Sequence, residues 1–345
     1  MATFKLSRDI GIDLGTTSVL VYVEGRGIVI NEPSAVALDK VSGKVLEVGA
    51  AAKKMLGRTP GNIVAARPLK NGAISDYDMT VTMLSTYLRR ITRLSLVKPR
   101  VVVSVPSGIT EVEERAVIQA TMEAGARRVY LIEEPLAAAM GAGMNISGAG
   151  GSMIIDIGGG TTDIAVLSLN NVVNSTSITT AGDAFDDAII QYIRERYQVL
   201  VGSQTAEEIK MAIGCVYTRP EPLAMTVRGR NLTTGLPQEV DVTSTDVMHA
   251  LSTPCRDILY AVRSTLEKTE PELVADISRS GITLTGGGAL VYGMDQMIAR
   301  STGIVCNLAD DAILCVALGC GKSLKWIDEM QEGTINLARR KLMAD

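Results

Sequence analysis

Two aspartates, Asp13 and Asp156, stand in nearly the same local sequence. Each ends an apolar run and is followed by an apolar residue, a glycine and hydroxyl side chains, within residues 9–18 and 153–163. A carboxylate at the mouth of a hairpin, beside glycine backbone that permits close approach, suits a phosphate and its metal ion. Either aspartate alone could be an ordinary turn residue. The repeat favours two related hairpins that hold a hydrated Mg²⁺, while the backbone amides of Gly15, Gly158, Gly159 and Gly160 meet the phosphates.

A glycine triplet near the end of the chain is a second candidate for ligand binding. Gly286, Gly287, Gly288 and Ala289 follow an expected strand at residues 281–284. Glycines at this position would let a flat base and a ribose lie against the backbone, although a triplet is also found in a plain strand-to-helix turn. The segment lacks the Gly-Lys-Ser/Thr of a Walker A loop and the setting of a dinucleotide fingerprint.

Charged residues on one expected helix are a third candidate. Glu207, Glu208 and Lys210 belong to a helical segment, and Glu207 and Lys210 share a face because they are three residues apart. This face either carries a solvated ion pair or closes on adenosine. The sequence leaves both interpretations open.

The elements that must position these residues form two similar series. Short β-branched runs predict strands at 10–14, 19–23 and 27–30, with the pattern broken at 31–34, and a second strand series spans 153–180. Helical spacing predicts helices at 76–93, 110–124 with a capping box, 184–197, 244–269 with a break at Pro254, and 311–328. The doubled plan predicts an α/β protein with two lobes.

Composition restricts the function further. A chain of 345 residues is long enough for two lobes, and a net charge of −4 gives no basic field for nucleic acid. The five cysteines lack metal-ligand spacing and are expected to be free thiols in a reducing compartment. The one histidine, His249, excludes histidine-cluster and Ser-His-Asp chemistry. No secretory signal and no apolar run of about 20 residues is present, which predicts a soluble or peripheral protein.

Five elements occur in the order found in the superfamily of actin, sugar kinases and heat-shock chaperone ATPases. They are two phosphate hairpins (13–18 and 156–163), an adenosine motif (286–289) and two connecting helices (133–143 and 311–321). Within this superfamily the chain resembles the bacterial actins MreB and Mbl, as seen at residues 27–34 (GIVINEPS), 105–113 (VPSGITEVE), 132–139 (IEEPLAAA) and 206–210 (AEEIK). The resemblance covers essentially the whole chain.

The resemblance implies an actin-like (ribonuclease H-like) duplicated two-lobe α/β ATPase fold with a small insertion on each lobe. The first large subdomain would comprise residues 1–34, 68–145 and 312–345, with an insertion at 35–67. The second would comprise 146–182 and 244–311, with an insertion at 183–243. The family binds ATP with Mg²⁺ between the two lobes and hydrolyses it slowly, faster in filaments.

The resemblance also implies roles for individual residues. Asp13 and Asp156 would organise Mg²⁺, largely through water, and Glu133 would position the attacking water unless it only supports or caps a helix. The residues expected near the phosphates are Thr16, Thr17, Ser18, Thr161 and Thr162, and the expected catalytic residues are Glu133, Asp156 and Thr162. This chain departs from the family at three places. It has Thr-Thr-Ser at residues 16–18 where the family usually has Thr-Ala-Asn, Asp163 where the family often has Glu, and Gly-Cys-Val at 214–216 where Gly-Ser-Ala is usual. The nucleotide preference and the hydrolysis rate are therefore left open.

Members of the family form double filaments of antiparallel protofilaments on the inner face of the cytoplasmic membrane, where they direct cell-wall synthesis and rod shape. The implied partners are copies of the chain, the membrane and the cell-wall elongation machinery, and no nucleic acid. Leu94 and Leu96 lie among basic residues, which suits an anionic membrane, although a helix end followed by a buried strand would give the same pattern. Phe4 and Leu6 are a weaker second candidate for an anchor.

Other members of the superfamily remain as alternatives. A sugar kinase would need a catalytic aspartate base and a polar sugar pocket, and a plasmid-segregating actin would share the fold. A chaperone ATPase would need a peptide-binding domain after the last connecting helix, and we expect none here. The family motifs favour the cell-shape class.

Overall fold

The computed structural model describes residues 8–93 and 97–330, so Leu94, Leu96, Phe4 and Leu6 lie outside the described residues. The chain forms two compact units. The first contains the residues up to Asn145 and those from Leu314 onward, and the second is Ile146–Ile313. The predicted finer division into four subdomains stays a prediction.

The described part of the first unit contains three sheets and the helices that flank them. Its strands are β1 (Ile10–Leu14), β2 (Ser18–Val23), β3 (Gly27–Pro33), β4 (Val36–Asp39), β5 (Val45–Val48), β6 (Ile63–Ala66), β7 (Leu69–Lys70), β8 (Ala73–Ile74), β9 (Arg100–Val105) and β10 (Arg128–Glu133). Its helices before the crossing to the second unit are α1 (Ala50–Lys53), α2 (Tyr77–Thr92), α3 (Glu111–Glu123) and α4 (Glu134–Gly141). The predicted capping box is present, since Thr110 and Glu113 exchange hydrogen bonds at the start of α3.

The second unit repeats this plan. Its strands are β11 (Ser152–Ile157), β12 (Thr162–Ser168), β13 (Asn171–Ile178), β14 (Val199–Leu200), β15 (Ala224–Asn231), β16 (Pro237–Thr243), β17 (Ile282–Thr285) and β18 (Cys306–Leu308). Its helices are α5 (Gly182–Tyr197), α6 (Ser203–Ile213), α7 (Ser244–Ala250), α8 (Ser252–Glu267), α9 (Pro271–Ser280) and α10 (Met294–Thr302), after which α11 (Cys315–Ser323) belongs to the first unit.

The two main sheets have the same topology. The order is β3-β2-β1-β9-β10 in the first unit and β13-β12-β11-β17-β18 in the second. In each, the central strand pairs antiparallel with the next strand in sequence and parallel with a later one, β9 or β17. The central strands are buried because they carry apolar residues on both faces. The sequence repeat therefore corresponds to a structural repeat, and it places Asp13 and Asp156 on equivalent strands.

The predicted break at residues 31–34 is wrong for most of that segment. Strand β3 continues through Asn31 to Pro33, and Pro33 pairs with Ser18. Proline is tolerated there because β3 is at the edge of the sheet and ends at Pro33.

The predicted break at Pro254 is also misplaced. The helical segment 244–269 is interrupted at Leu251, and Pro254 lies in the first turn of α8. A missing amide proton costs little there, because the first amides of a helix have no intrahelical acceptor. The stretch predicted as one helix at 311–328 is α11 with short 3₁₀ helices, Ala312–Leu314 and Leu324–Trp326, on either side.

Helices α4 and α11 pack together at two glycines. A Cβ added to Gly141 would lie 1.7 Å from the carbonyl oxygen of Cys315, and one added to Gly319 would lie 1.7 Å from that of Ala137. Only glycine permits this approach of the two backbones. The contact holds α4, and so the end of β10 that precedes it, in one place.

Candidate functional site

The hairpin of the second unit is built around a buried aspartate. Asp156 on β11 lies opposite Asp163 of β12 and next to Thr285 of β17, whose hydroxyl donates a 2.7 Å hydrogen bond to Asp156 Oδ1. Burial raises the pKa of Asp156 to about 7, the negative charge of Asp163 adds to the increase, and the bond from Thr285 opposes it. A nearby cation would restore the ionised carboxylate, so Asp156 fits a site for a divalent cation and phosphate.

The turn of this hairpin is tight. The amide of Gly158 donates to the carbonyl oxygen of Thr161 at 2.9 Å, across Gly159 and Gly160. Thr162 is fully buried, and its hydroxyl donates to the carbonyl oxygen of Thr180 at 2.7 Å. Thr162 therefore ties the hairpin to the segment before α5, and its predicted catalytic role stays a prediction.

The first turn of α5 rests on the same hairpin. The amides of Gly182 and Asp183 donate to the carbonyl oxygens of Gly158 and Gly159, at 3.1 and 2.7 Å. A side chain at residue 182 would crowd the hairpin, since an added Cβ would lie 3.1 Å from the oxygen of Gly158. This support was not predicted, and Gly182 at the helix start is the signal that could have found it.

Lys210 on α6 reaches across to α5. Its ammonium lies 2.8 Å from Asp186 Oδ1 and donates to the carbonyl oxygen of Gly182 at 2.8 Å. The Lys210 side chain is 14% exposed, so it is not part of a solvated pair. Burial raises the pKa of Asp186 to about 6, although Lys210 opposes the increase. Glu207 is half-buried and Glu208 is exposed on the same helix. Lys210 thus links α6 to the first turn of α5, which packs against the phosphate hairpin.

The glycine triplet lies directly on the end of β11. Gly286 has a φ of +84°, and a Cβ added there would lie 2.3 Å from the oxygen of Ile157 and 2.9 Å from Asp156 Oδ1. At Gly288 an added Cβ would lie 2.4 Å from a methyl carbon of Ile157, whereas at Gly287 it would meet nothing within 4 Å. Ala289 is buried in the 3₁₀ helix Gly288–Leu290. The structure therefore brings the triplet and Asp156 together and leaves one side of Gly287 open.

The hairpin of the first unit carries the second aspartate. Asp13 lies on β1, and the hydroxyl of Ser104 approaches its Oδ1 at 3.4 Å. The hydroxyl of Thr16 accepts a 3.0 Å bond from the amide of Gly72, whereas the hydroxyl of Thr17 is buried and has no hydrogen-bond partner among the described residues. Ser18 begins β2. A buried hydroxyl beside glycine backbone fits a phosphate oxygen.

Glu133 ends β10 in the first unit. It is buried, and Ser107 Oγ lies 3.5 Å from its Oε2. Its side chain makes no capping hydrogen bond to α4, so the predicted alternative of a capping role is not supported. Strands β1, β9 and β10 are parallel, so Asp13 and Glu133 lie near the same edge of the sheet, where ligands of α/β proteins bind.

Two kinds of feature are absent from residues 8–93 and 97–330. Neither stretch contains a helix that is both long and apolar enough to cross a bilayer. Nor does either place three or more His, Cys, Asp or Glu side chains where they could hold a metal ion together.

Comparison with known proteins gives consistent matches. A sequence model for the family described as MreB/Mbl protein matches residues 7–332. The cell shape-determining protein MreB of Escherichia coli is 49% identical over 328 residues, which are 93% of this chain and 94% of that protein. A crystal structure of MreB 5 of Spiroplasma citri bound to AMPPNP is 38% identical, with a TM-score of 0.90 over 94% of this chain and 98% of that chain. The MamK double helical filament is similar in fold, with a TM-score of 0.78, 22% identity and coverage of 92% and 98%.

Proposed function

Because the chain belongs to the MreB/Mbl family and has its actin-like fold, we propose that it binds ATP with Mg²⁺, hydrolyses it slowly and assembles into filaments that determine cell shape. The observation that carries this proposal is the duplicated sheet, which repeats one aspartate-glycine hairpin at the equivalent position of each unit. The nucleotide analogue bound by the Spiroplasma citri relative supports it.

The residues of both hairpins would bind the triphosphate. Asp13 and Asp156 would hold Mg²⁺, largely through water, and the ion would offset charge on the phosphates. The phosphate-binding set is Thr16, Thr17, Ser18, Gly158, Gly159, Gly160, Thr161 and Thr162, and the adenosine-binding set is Glu207, Glu208, Lys210, Gly286, Gly287, Gly288 and Ala289. Phosphoryl transfer to water depends mainly on positioning and on charge stabilisation, which these groups supply.

Glu133 is proposed to orient the attacking water. It is buried, lies at the same sheet edge as Asp13 and does not cap its helix. A carboxylate in this role accepts a hydrogen bond from the water and fixes its direction of attack.

Replacement of Glu133 by Ala should separate ATP binding from ATP hydrolysis. The variant should bind ATP with unchanged affinity and hydrolyse it at least about tenfold more slowly, a cost of about 1.4 kcal/mol in the barrier. Binding would be measured by calorimetry and turnover by phosphate release. Glu111→Ala, at an exposed position of the same unit, is the control. Equal losses of binding and turnover would assign Glu133 a structural role.

Filament formation requires ATP in this proposal. Sedimentation with and without ATP and Mg²⁺, followed by electron microscopy on a lipid monolayer, tests it directly. Double filaments on the lipid would support assembly of copies of this chain on a membrane. The proposed location is the inner face of the cytoplasmic membrane, and the proposed partner there is the cell-wall elongation machinery. A protein that stays monomeric with ATP at all concentrations would contradict it.

The membrane contact is proposed at Leu94 and Leu96, outside the described residues. The described flanks support it, because Arg89, Arg90, Arg93 and Lys98 are exposed around the end of α2. Exposed apolar residues within a basic cluster suit an anionic membrane surface.

Replacement of Leu94 and Leu96 by Ser should release filaments from anionic liposomes without preventing assembly in solution. Each inserted leucine contributes on the order of 1–2 kcal/mol, and many copies along a filament multiply the effect. Flotation and sedimentation would be measured on the same samples. Val41→Ser, at an exposed apolar residue of the first unit, is the control. Unchanged flotation would move the anchor, with Phe4 and Leu6 as the next candidates.

A further inference from the structure

Two segments proposed to bind adenosine are joined by a short backbone bridge in the second unit. Helix α6, which carries Lys210, ends at Ile213 and is capped by Gly214, whose amide donates to the carbonyl oxygen of Lys210 at 3.0 Å. Two residues later, the amide of Val216 donates to the carbonyl oxygen of Tyr292 at 2.9 Å. Tyr292 follows the glycine triplet by a few residues. The bridge therefore fixes the end of α6 relative to residues 286–289.

The bridge is tightly packed on one side. Gly293, next to Tyr292, has a φ of +80°, and a Cβ added there would lie 2.3 Å from Cβ of Tyr217. A Cβ added to Gly214 would lie 2.2 Å from the oxygen of Lys210. Glycine is thus required at residue 214 by the last turn of α6 and at residue 293 by the approach of Tyr217. The contact between Gly293 and Tyr217 leaves little freedom for the two segments to shift against each other.

The side chain of Arg219 contacts both segments of the bridge. The guanidinium of Arg219 lies over the ring of Tyr292, with Cζ 4.0 Å from the ring centroid, and donates a 3.1 Å hydrogen bond to the carbonyl oxygen of Gly214. A planar guanidinium can stack on a ring and donate in its own plane at once, which an ammonium cannot do. Arg219 therefore contacts one residue just beyond the end of each adenosine-binding segment.

We propose that Arg219, through its stack on Tyr292 and its bond to Gly214, is a positioning residue that sets the separation of α6 and the glycine triplet and so the affinity for the adenosine part of ATP. The inference rests on the proposed function, because it assumes that these segments bind adenosine. The phosphate hairpin of the second unit is held by contacts of Gly158, Thr162 and Thr285, and its link to α6 is the bond from Lys210 to Gly182. Arg219 takes part in none of these contacts, because its own partners are Tyr292 and Gly214. The effect should therefore be confined to adenosine.

Calorimetric titration with two probes tests this. With Mg²⁺ present, Arg219→Ala should raise the Kd for ATP about tenfold and leave the Kd for inorganic tripolyphosphate unchanged. Tyr292→Phe keeps the ring and should bind ATP as the wild type does. Tyr292→Leu removes the stack but keeps the bond from Arg219 to Gly214, so it should weaken ATP binding by no more than Arg219→Ala does. The double variant Arg219→Ala/Tyr292→Leu should bind ATP no more weakly than Arg219→Ala alone, because that single variant has already lost the stack. Arg228→Ala removes an exposed ion pair with Glu239 and serves as the control.

The outcomes separate this inference from the function on which it rests. Wild-type affinity for ATP in Arg219→Ala would overturn the inference and leave the proposed function intact. Equal weakening of ATP and tripolyphosphate would also overturn it, since that result indicates general loosening of the unit. Failure of the wild-type protein to bind ATP would overturn the proposed function itself. If Arg219→Ala does not fold, Tyr292→Leu compared with Tyr292→Phe decides the question.

Discussion

Asp156→Asn is expected to abolish ATP hydrolysis and, without nucleotide or Mg²⁺, to make the protein more stable at pH 8. Burial is the main cause of the raised pKa of about 7, so ionised Asp156 is unfavourable in the folded state. Asparagine keeps an oxygen to accept the bond from Thr285 and carries no charge. The loss of a proposed Mg²⁺ ligand should lower the hydrolysis rate at least about 100-fold.

The stability effect has a defined dependence on pH. Between about pH 4 and pH 7, Asp156 is protonated in the folded state and ionised in the unfolded state, so the wild-type protein loses stability as the pH rises through this window. The variant lacks this loss. Its advantage should be absent near pH 4 and reach on the order of 4 kcal/mol at pH 8, since one pKa unit corresponds to about 1.4 kcal/mol.

Urea unfolding of both proteins in EDTA at several pH values measures this advantage. Asp186, whose pKa is also raised, is present in both proteins, so the difference between them isolates Asp156. Asp39→Asn is the control, because hydrogen bonds from Ser42 lower the pKa of that exposed carboxyl and its loss should not stabilise the protein. A variant less stable than the wild type at pH 8 would show that the charge of Asp156 is compensated without a metal ion.

Local signals predicted much of the fold and of the candidate site. The spacing of apolar residues predicted β1, β2 and β3 and a strand series over residues 153–180, and the capping box placed the N-cap of α3 at Thr110. The repeat around Asp13 and Asp156 predicted equivalent strands, because the same local pattern folds into the same antiparallel meander. These features depend on residues that are close in sequence, so a single sequence is sufficient to predict them.

Contacts between distant residues could not be predicted in the same way. The pairing of Lys210 with Asp186 depends on how α6 packs against α5, and the sequence showed only the neighbouring Glu207. Helix α9 and strand β18 were missed, although Pro271 at the first helical position and Gly281 after the last residue are ordinary boundary signals for α9. The stack of Arg219 on Tyr292 joins residues more than seventy positions apart, and no local pattern indicates it.

Adjacent glycines in the triplet should respond in opposite ways to the same substitution. Gly286→Ala places a side chain at a φ of +84° and 2.3 Å from the oxygen of Ile157, so it should destabilise the protein by about 3 kcal/mol or more. Gly287 has a φ of −68°, and an added Cβ meets nothing within 4 Å. Gly287→Ala should therefore keep or slightly increase the stability, by about 0.4–1 kcal/mol, because alanine restricts the unfolded chain.

The open side of Gly287 is where the proposed function places the adenosine against the backbone. Gly287→Ala should raise the Kd for ATP at least about tenfold while the folded protein stays intact, because the new methyl group occupies the approach to the backbone. Urea unfolding without nucleotide and calorimetric titration with ATP would be measured on both variants. Gly61→Ala, at another open glycine, should have the same small effect on stability and leave the Kd for ATP unchanged. A stable Gly287→Ala variant with wild-type affinity for ATP would remove the triplet from the adenosine site, since a ligand that lies against this backbone cannot ignore a side chain placed there.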